Sequence, residues 1–338
     1  MTSPSLWSRL KNAHLFRVVV IYLGASWLVL EVVGLFLVAP SGAWAQQVGD
    51  VEFEPEVTDA VFPFGKGPRV LVDAAHNNLH TVEGRYRAFA ELLRRDGYVV
   101  EGLDAPLSPE ALRGADILVI SNAVADANIL EDDWTLPTPS AFSPDEIVAV
   151  RTWIEEGGSL LLIADHMPWP GAAADLAETF GLMFGNGFAR DGTLQSGRMT
   201  FRRDDDSLAD HAIIRGRMPE EAVESVMAFS GQAFRIRPGT AGQPLLVLGD
   251  DTVLLLPVKA WEFSEKTPRI SASGMLQGAT VRFGDGRVAA FGEAAMFTAQ
   301  VSGTERRPSG MNHPEARENA QFVLNVLHWL SGLLEQQE

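Results

Sequence analysis

The 338-residue chain contains no cysteine. That excludes disulfides, thiolate metal sites and any thiol nucleophile. Neither G-x-G-x-x-G nor G-x-x-x-x-G-K-[ST] follows a candidate strand, so a phosphate-cradling glycine loop is absent. A G-x-S-x-G elbow is missing too, which excludes the usual α/β-hydrolase nucleophile. There is no internal repeat, no low-complexity segment and no basic stripe with interleaved aromatics. The formal net charge is −17, and a surface that acidic repels phosphate backbones; nucleic acid is not an expected partner.

What is present begins with an N-terminal apolar run. Arg9, Lys11 and Arg17 precede Val18 to Val38, and Ala43 and Ala45 then have the small-x-small spacing of a signal-peptidase site. The run is longer than a usual signal core, near the ~20 residues that span a bilayer, and it carries Glu31. A cleaved signal and an uncleaved anchor both fit over residues 1–45, and a buried soluble helix is the bland alternative. Either export reading puts residues 46–338, expected to be one domain, in the periplasm or another extracytoplasmic space. Membrane contact is then expected through the N-terminal segment only.

Beyond it, short aliphatic runs alternate with helical patterns. "RVLVD", "YVVEGL", "DILVIS" and "SLLLI" read as buried strands. "VEGRYRAFAELLRRDG" has helical apolar spacing with Gly97 as its stop, and Ser143, Pro144 and Glu146 open a helix with a capping box. "SPEALRGA" predicts a short helix capped by Ser108. Helix is also expected near Ala172 to Phe180 and, from Pro314 on, as a terminal amphipathic helix. "ATVRFGDGRVAAFG" predicts a hairpin turning at Asp285-Gly286. The alternation implies an α/β fold: an open, mostly parallel sheet, helices on both faces and an added β-hairpin.

Ligands of such sheets bind beyond the carboxyl ends of the strands. Those ends supply Asp73, His76, Asn77 and Asn78, then Ser121 and Asn122, then Asp165 and His166, then Glu293. Asp165, His166 and Glu293 are the catalytic candidates, as general acids and bases. Asp73 and His76 are the candidates for a divalent metal; His76 and His80, four apart, have the spacing of paired metal ligands, but in a loop or first helical turn one His in the site and one solvated is the favoured reading. Asn77, Asn122, Trp169 and Asn312 are the ligand-binding candidates. Trp134 and Trp169 could stack on a sugar, although lid packing explains them as well. His313 and Glu315 lie just before the last helix, His211 is ambiguous, and His14 and His328 read as structural. The site residues are expected to converge on one pocket holding a small-molecule or carbohydrate ligand.

Taken together, "RVLVDAAHNN", "ADILVISNA", "FSPDEIVAVRTWIEEGGSLLLIADHMPWPGAAADLAETFG", "GEAAMFTAQ" and "GMNHPEARENAQFVLNVLHWL" resemble bacterial proteins of the class I glutamine amidotransferase-like superfamily. "DHAIIRGR" is similar to the His-containing segment of trehalose-utilisation-type members. The resemblance runs from Gly67 to the end and implies a flavodoxin-like domain. True amidotransferases place a nucleophilic Cys after a strand. Here Asp165, His166 and Met167 occupy that turn, so glutamine hydrolysis by the thiol route is out. A hydrolase using the Asp/His/Glu residues is the first expectation. A non-catalytic module for a sugar or envelope ligand is the second, and a structural subunit of an envelope complex the third.

Overall fold

A computed structural model describes residues 47–192 and 198–334. The apolar run at 18–38 and the Ala43–Ala45 motif lie outside the described residues. Among the described residues no helix is long and apolar enough to cross a membrane.

The body is a mixed α/β structure around a nine-stranded, mostly parallel sheet. Its strands are β1 (Arg69–Asp73), β2 (Val99–Leu103), β3 (Ile117–Ser121), β4 (Ser159–Ile163), β5 (Leu182–Phe184), β6 (Phe234–Ile236), β7 (Gly242–Val247), β8 (Leu276–Phe283) and β9 (Gly286–Phe291). The order is β2-β1-β3-β4-β9-β8-β6-β5, with β7 also on β8. The first five of these are mutually parallel, and the remaining pairings are antiparallel.

Strand residues alternate between two buried faces, which is why these runs are continuously aliphatic. Val72, Val119, Ile163 and Phe291 pack under helices α1 (Arg87–Arg95) and α3 (Asn319–Leu330). Leu71, Ile120, Leu162 and Ala290 face α2 (Pro144–Glu155) and the short helix Ala174–Thr179. Helices therefore do cover both faces. The capping box of α2 is present: Ser143 Oγ accepts the Glu146 N–H, and Glu146 Oε2 accepts the Ser143 N–H at 2.9 Å.

Three local expectations need correction. Residues 109–114 form turns and no regular helix. Ser108 Oγ does accept the Ala111 N–H, but Gly114 at φ +73° ends the structure after about one turn. The hairpin turns at Gly284-Asp285, because Phe283 pairs with Gly286; Gly284 takes the positive φ of +58° that the tight turn demands. The last helix begins at Asn319, five residues after Pro314, and is not amphipathic: ten of its twelve residues are buried. Its expected first turn is occupied otherwise. Glu318 Oε2 accepts the N–H groups of Glu224 and Ser225, and the Asn319 amide bonds both backbone groups of Met227.

Candidate functional site

The strand order reverses at β1, whose two neighbours are β2 and β3. Ligands of parallel sheets gather at such a switch point. The predicted residues do lie along this carboxyl edge, but they separate into three neighbourhoods. Hydrogen bonds link the first two: the Asn78 amide donates to both Asp73 Oδ2 and the Ser121 carbonyl.

Asp73, His76 and Glu146 form the first. His76 Nδ1 lies 2.9 Å from both Asp73 oxygens, and Nε2 lies 2.9 Å from Glu146 Oε1. Since both ring nitrogens face carboxylates, both must donate, and the ring is an imidazolium. Burial opposes its charge, but Asp73 and Glu146 together outweigh that and raise the His76 pKa. Burial likewise opposes charge on Glu146, while bonds from Ser143, His76 and the Leu107 N–H bring its pKa down to about 2. Asn78 closes the group, donating to Asp73 Oδ2 at 3.0 Å. Both His76 nitrogens are engaged by carboxylates, so a divalent metal would have to displace a ring proton to bind there. Among the described residues no three His, Asp or Glu side chains are grouped to hold a metal ion.

The second neighbourhood surrounds Asp165 and Glu293. Glu293 is fully buried; its Oε1 accepts the Ala295 N–H and its Oε2 the Met296 N–H, each at 2.8 Å. Burial and the Asp165 charge push its pKa well above the usual carboxylate range, against those backbone donors. Asp165 Oδ1 accepts the His166 N–H at 2.7 Å and the Ser230 hydroxyl at 3.3 Å. Its own N–H donates to Asn122 Oδ1 at 2.9 Å. The Arg85 guanidinium lies within electrostatic reach of Asp165 and of His80. Beneath sit His80, Ser121 and Tyr86: Ser121 Oγ is 3.2 Å from His80 Nδ1 and donates to the Tyr86 hydroxyl at 2.9 Å. Burial drives the His80 pKa down to about 3 and the Tyr86 pKa well up, so both are neutral near pH 7.

His166 heads the third neighbourhood, its ring set among aromatic side chains. Its ring stacks on Phe188 at 4.4 Å between centroids and meets Trp169 at 4.8 Å and Trp261 at 6.0 Å, while Nδ1 donates to its neighbour's carbonyl, Met167 O, at 3.0 Å. Trp134 joins through Trp261, 5.7 Å away. Trp169 is thus part of an aromatic wall beside the acid pair.

Other candidates are engaged in holding loops. The Asn77 amide bonds Val124 O and Asp126, and that of Asn312 bonds Asp50 and Gln300 O. His313 meets Arg198 and accepts the Glu315 N–H. His211 caps the short helix Ala212–Arg215, with its pKa lowered to about 4 by burial, and His328 is buried on Asp96 at 2.7 Å. A cavity of about 350 Å³ lined by Asp116, Trp153, Ser159 and Arg287 lies at the opposite, amino edge and contains none of the expected residues.

Sequence reasoning missed Arg85, Glu146 as the His76 partner, and the loop 229–233. That loop is pinned over the edge by Gln232, which donates to Ala164 O at 3.0 Å, and by Gln277, which donates to Ser230 O at 2.8 Å. Glu146 carried a signal, the capping box, but one that speaks only of its own helix.

The arrangement favours a proton on Glu293 beside Asp165, with the Arg85 cation within electrostatic reach. No protein-family model matches the chain, and no curated protein matches it. Among solved structures it is similar to the mmIFT52 N-terminal domain, at TM-score 0.52 and 14% identity over 78% of this chain and 97% of that one. A ThuA-like protein from Bacteroides uniformis matches at TM-score 0.45 and 11% identity, over 80% of this chain and 94% of that one. A cytoplasmic protein from Salmonella typhimurium, STM3548, matches at 0.46 and 13%, over 78% and 98%. At such identities the likeness to the first is one of fold alone, and the lower scores of the other two carry no argument.

Proposed function

We propose that the chain is a flavodoxin-like, amidotransferase-like domain that is carried across a membrane by its N-terminal segment. There it acts as a thiol-independent acid–base hydrolase on a small polar or carbohydrate ligand. The parallel order β2-β1-β3-β4-β9 supports the fold reading, since it follows the 2-1-3-4-5 order of flavodoxin-like sheets with β9 in fifth place. The observation that carries the reaction class is the Asp165–Glu293 pair. Two neighbouring carboxyl groups, one of which (Glu293) has its proton affinity raised by burial and by the other's charge, can supply an acid and a base at one pH. Asp165 is the base, and Glu293 keeps the proton. A screen of glycosides, esters and amides with wild type, Asp165→Asn and Glu293→Gln tests this. The expected result is turnover lost by about a hundredfold or more in both variants, the usual scale of one acid–base group.

A second reading, a non-catalytic ligand-binding module, is favoured by one fact: both Glu293 oxygens already accept backbone N–H groups. Ligand binding without turnover, preserved in Glu293→Gln, selects it.

Export rests on the segment Arg9 to Ala45. Fractionation with N-terminal sequencing should find the chain across the membrane, starting near Gln46 or retaining its anchor. Recovery of full-length soluble protein from the cytoplasm would overturn this.

A further inference from the structure

Arg85 is the unused charge of the site. It is half-buried, yet among the described residues it makes no hydrogen bond and no ion pair. That is unexpected in a chain with 44 acidic and 27 basic residues, where other arginines, such as Arg69, Arg95, Arg203, Arg217 and Arg306, each reach a carboxylate. A partly desolvated guanidinium with idle donors is costly unless something planar and negative meets it.

Its surroundings indicate where such a group would sit. Arg85 precedes Tyr86, the N-cap of α1, a helix with no side-chain cap and no acidic residue in its first turn. At the end of the neighbouring β3, the fully buried Asn122 offers a second idle donor: its Oδ1 is taken by the Asp165 N–H, while Nδ2 has no acceptor. Leu79, on the loop that leads to Arg85, donates its N–H to the Asn122 carbonyl, so the two donors belong to adjoining segments.

From the idle Arg85 guanidinium and the orphaned Asn122 amide we infer that the ligand carries an anionic group, a carboxylate or a phosphoryl, bound bidentately by Arg85 beside Asp165. The inference takes its location from the reading of the site as an acid–base centre, but not its chemistry. Arg85 is a binding and specificity residue. Planar two-point recognition of this kind is what arginine does and lysine does not. Asp165 works against the anion by charge, which keeps affinity moderate.

The test is equilibrium binding of inorganic phosphate and of glucuronate to the full-length protein, at constant ionic strength set with chloride and without any turnover readout. The wild type should bind at least one of them. Phosphate alone identifies a phosphoryl group, glucuronate alone a carboxylate. Arg85→Gln should weaken that binding by about tenfold or more. Asp165→Asn, which removes the opposing charge and retains the oxygen, should strengthen it several-fold, and that arm stands even if Arg85→Gln fails to fold. No binding of either anion, equal binding by wild type and Arg85→Gln, or unchanged or weaker binding by Asp165→Asn would each overturn the inference. A protein that binds the anion through Arg85 but hydrolyses nothing loses the hydrolase reading and keeps this one.

Discussion

Replacing Glu146 by alanine should destabilise the fold by about 3–5 kcal/mol, the scale for removing one member of a buried, hydrogen-bonded ion pair. One carboxylate receives the His76 ring, the Leu107 N–H and the N-cap of α2, so its loss strands an imidazolium and two backbone donors together. The pH dependence has a definite shape. The Glu146 pKa falls from 4.5 unfolded to about 2 folded, so its contribution is complete above pH 4.5 and is lost as pH falls through about 2. The His76 pKa is raised above 6.5, so its contribution is complete below pH 6.5 and is lost as pH rises through the folded value. Both are complete only between pH 4.5 and 6.5. Denaturant melts across pH should show the gap between wild type and Glu146→Ala widest in that window. A gap that grows steadily towards pH 9 would refute the assignment.

The second large effect has the opposite sign. Asp165→Asn should stabilise the folded protein near pH 7 by about 1–2 kcal/mol while abolishing turnover. Glu293, with its folded pKa raised, favours folding fully below pH 4.5, and that contribution is lost as pH rises from there through the folded value. Asn at 165 removes the negative charge that helps to raise it, yet its Oδ1 can still accept from the His166 N–H and the Ser230 hydroxyl. The excess stability should therefore fade below pH 4.5. If Asp165 were only a local cap, the same substitution would leave stability nearly unchanged at both pH values, since Asn caps about as well as Asp, and calorimetry at pH 4 and pH 7 separates the two.

β1, β3 and β4 were legible because each is a short aliphatic run that is almost wholly buried, and α2 because Ser143, Pro144 and Glu146 form its start within four residues. The carboxyl-edge placement of Asp73, Asn122, Asp165 and Glu293 follows from strand polarity alone. Their partners do not. His76 is committed to a glutamate 70 positions away, and Ser230 reaches Asp165 from a loop with no periodicity to betray it. Asp165 and His166 are adjacent in sequence yet turn to opposite surroundings, one to carboxyl chemistry and one to tryptophans. The beginning of α3 was misread for a similar reason: Glu318 and Asn319 spend their side chains on the strand Ser225–Ala228 instead of on their own helix.

The parallel pairing of β4 with β9 bears on how the chain matures. Ser159 lies opposite Arg287, and four of the nine strands intervene in sequence between the two partners. A ribosome must therefore release the chain through β9 before Glu293 can reach Asp165. Until then the inner edge of β4 is an unpaired, aliphatic template for other chains. The nascent chain is thus exposed to aggregation from the emergence of β4 until that of β9, and a holdase would have most to do over that interval.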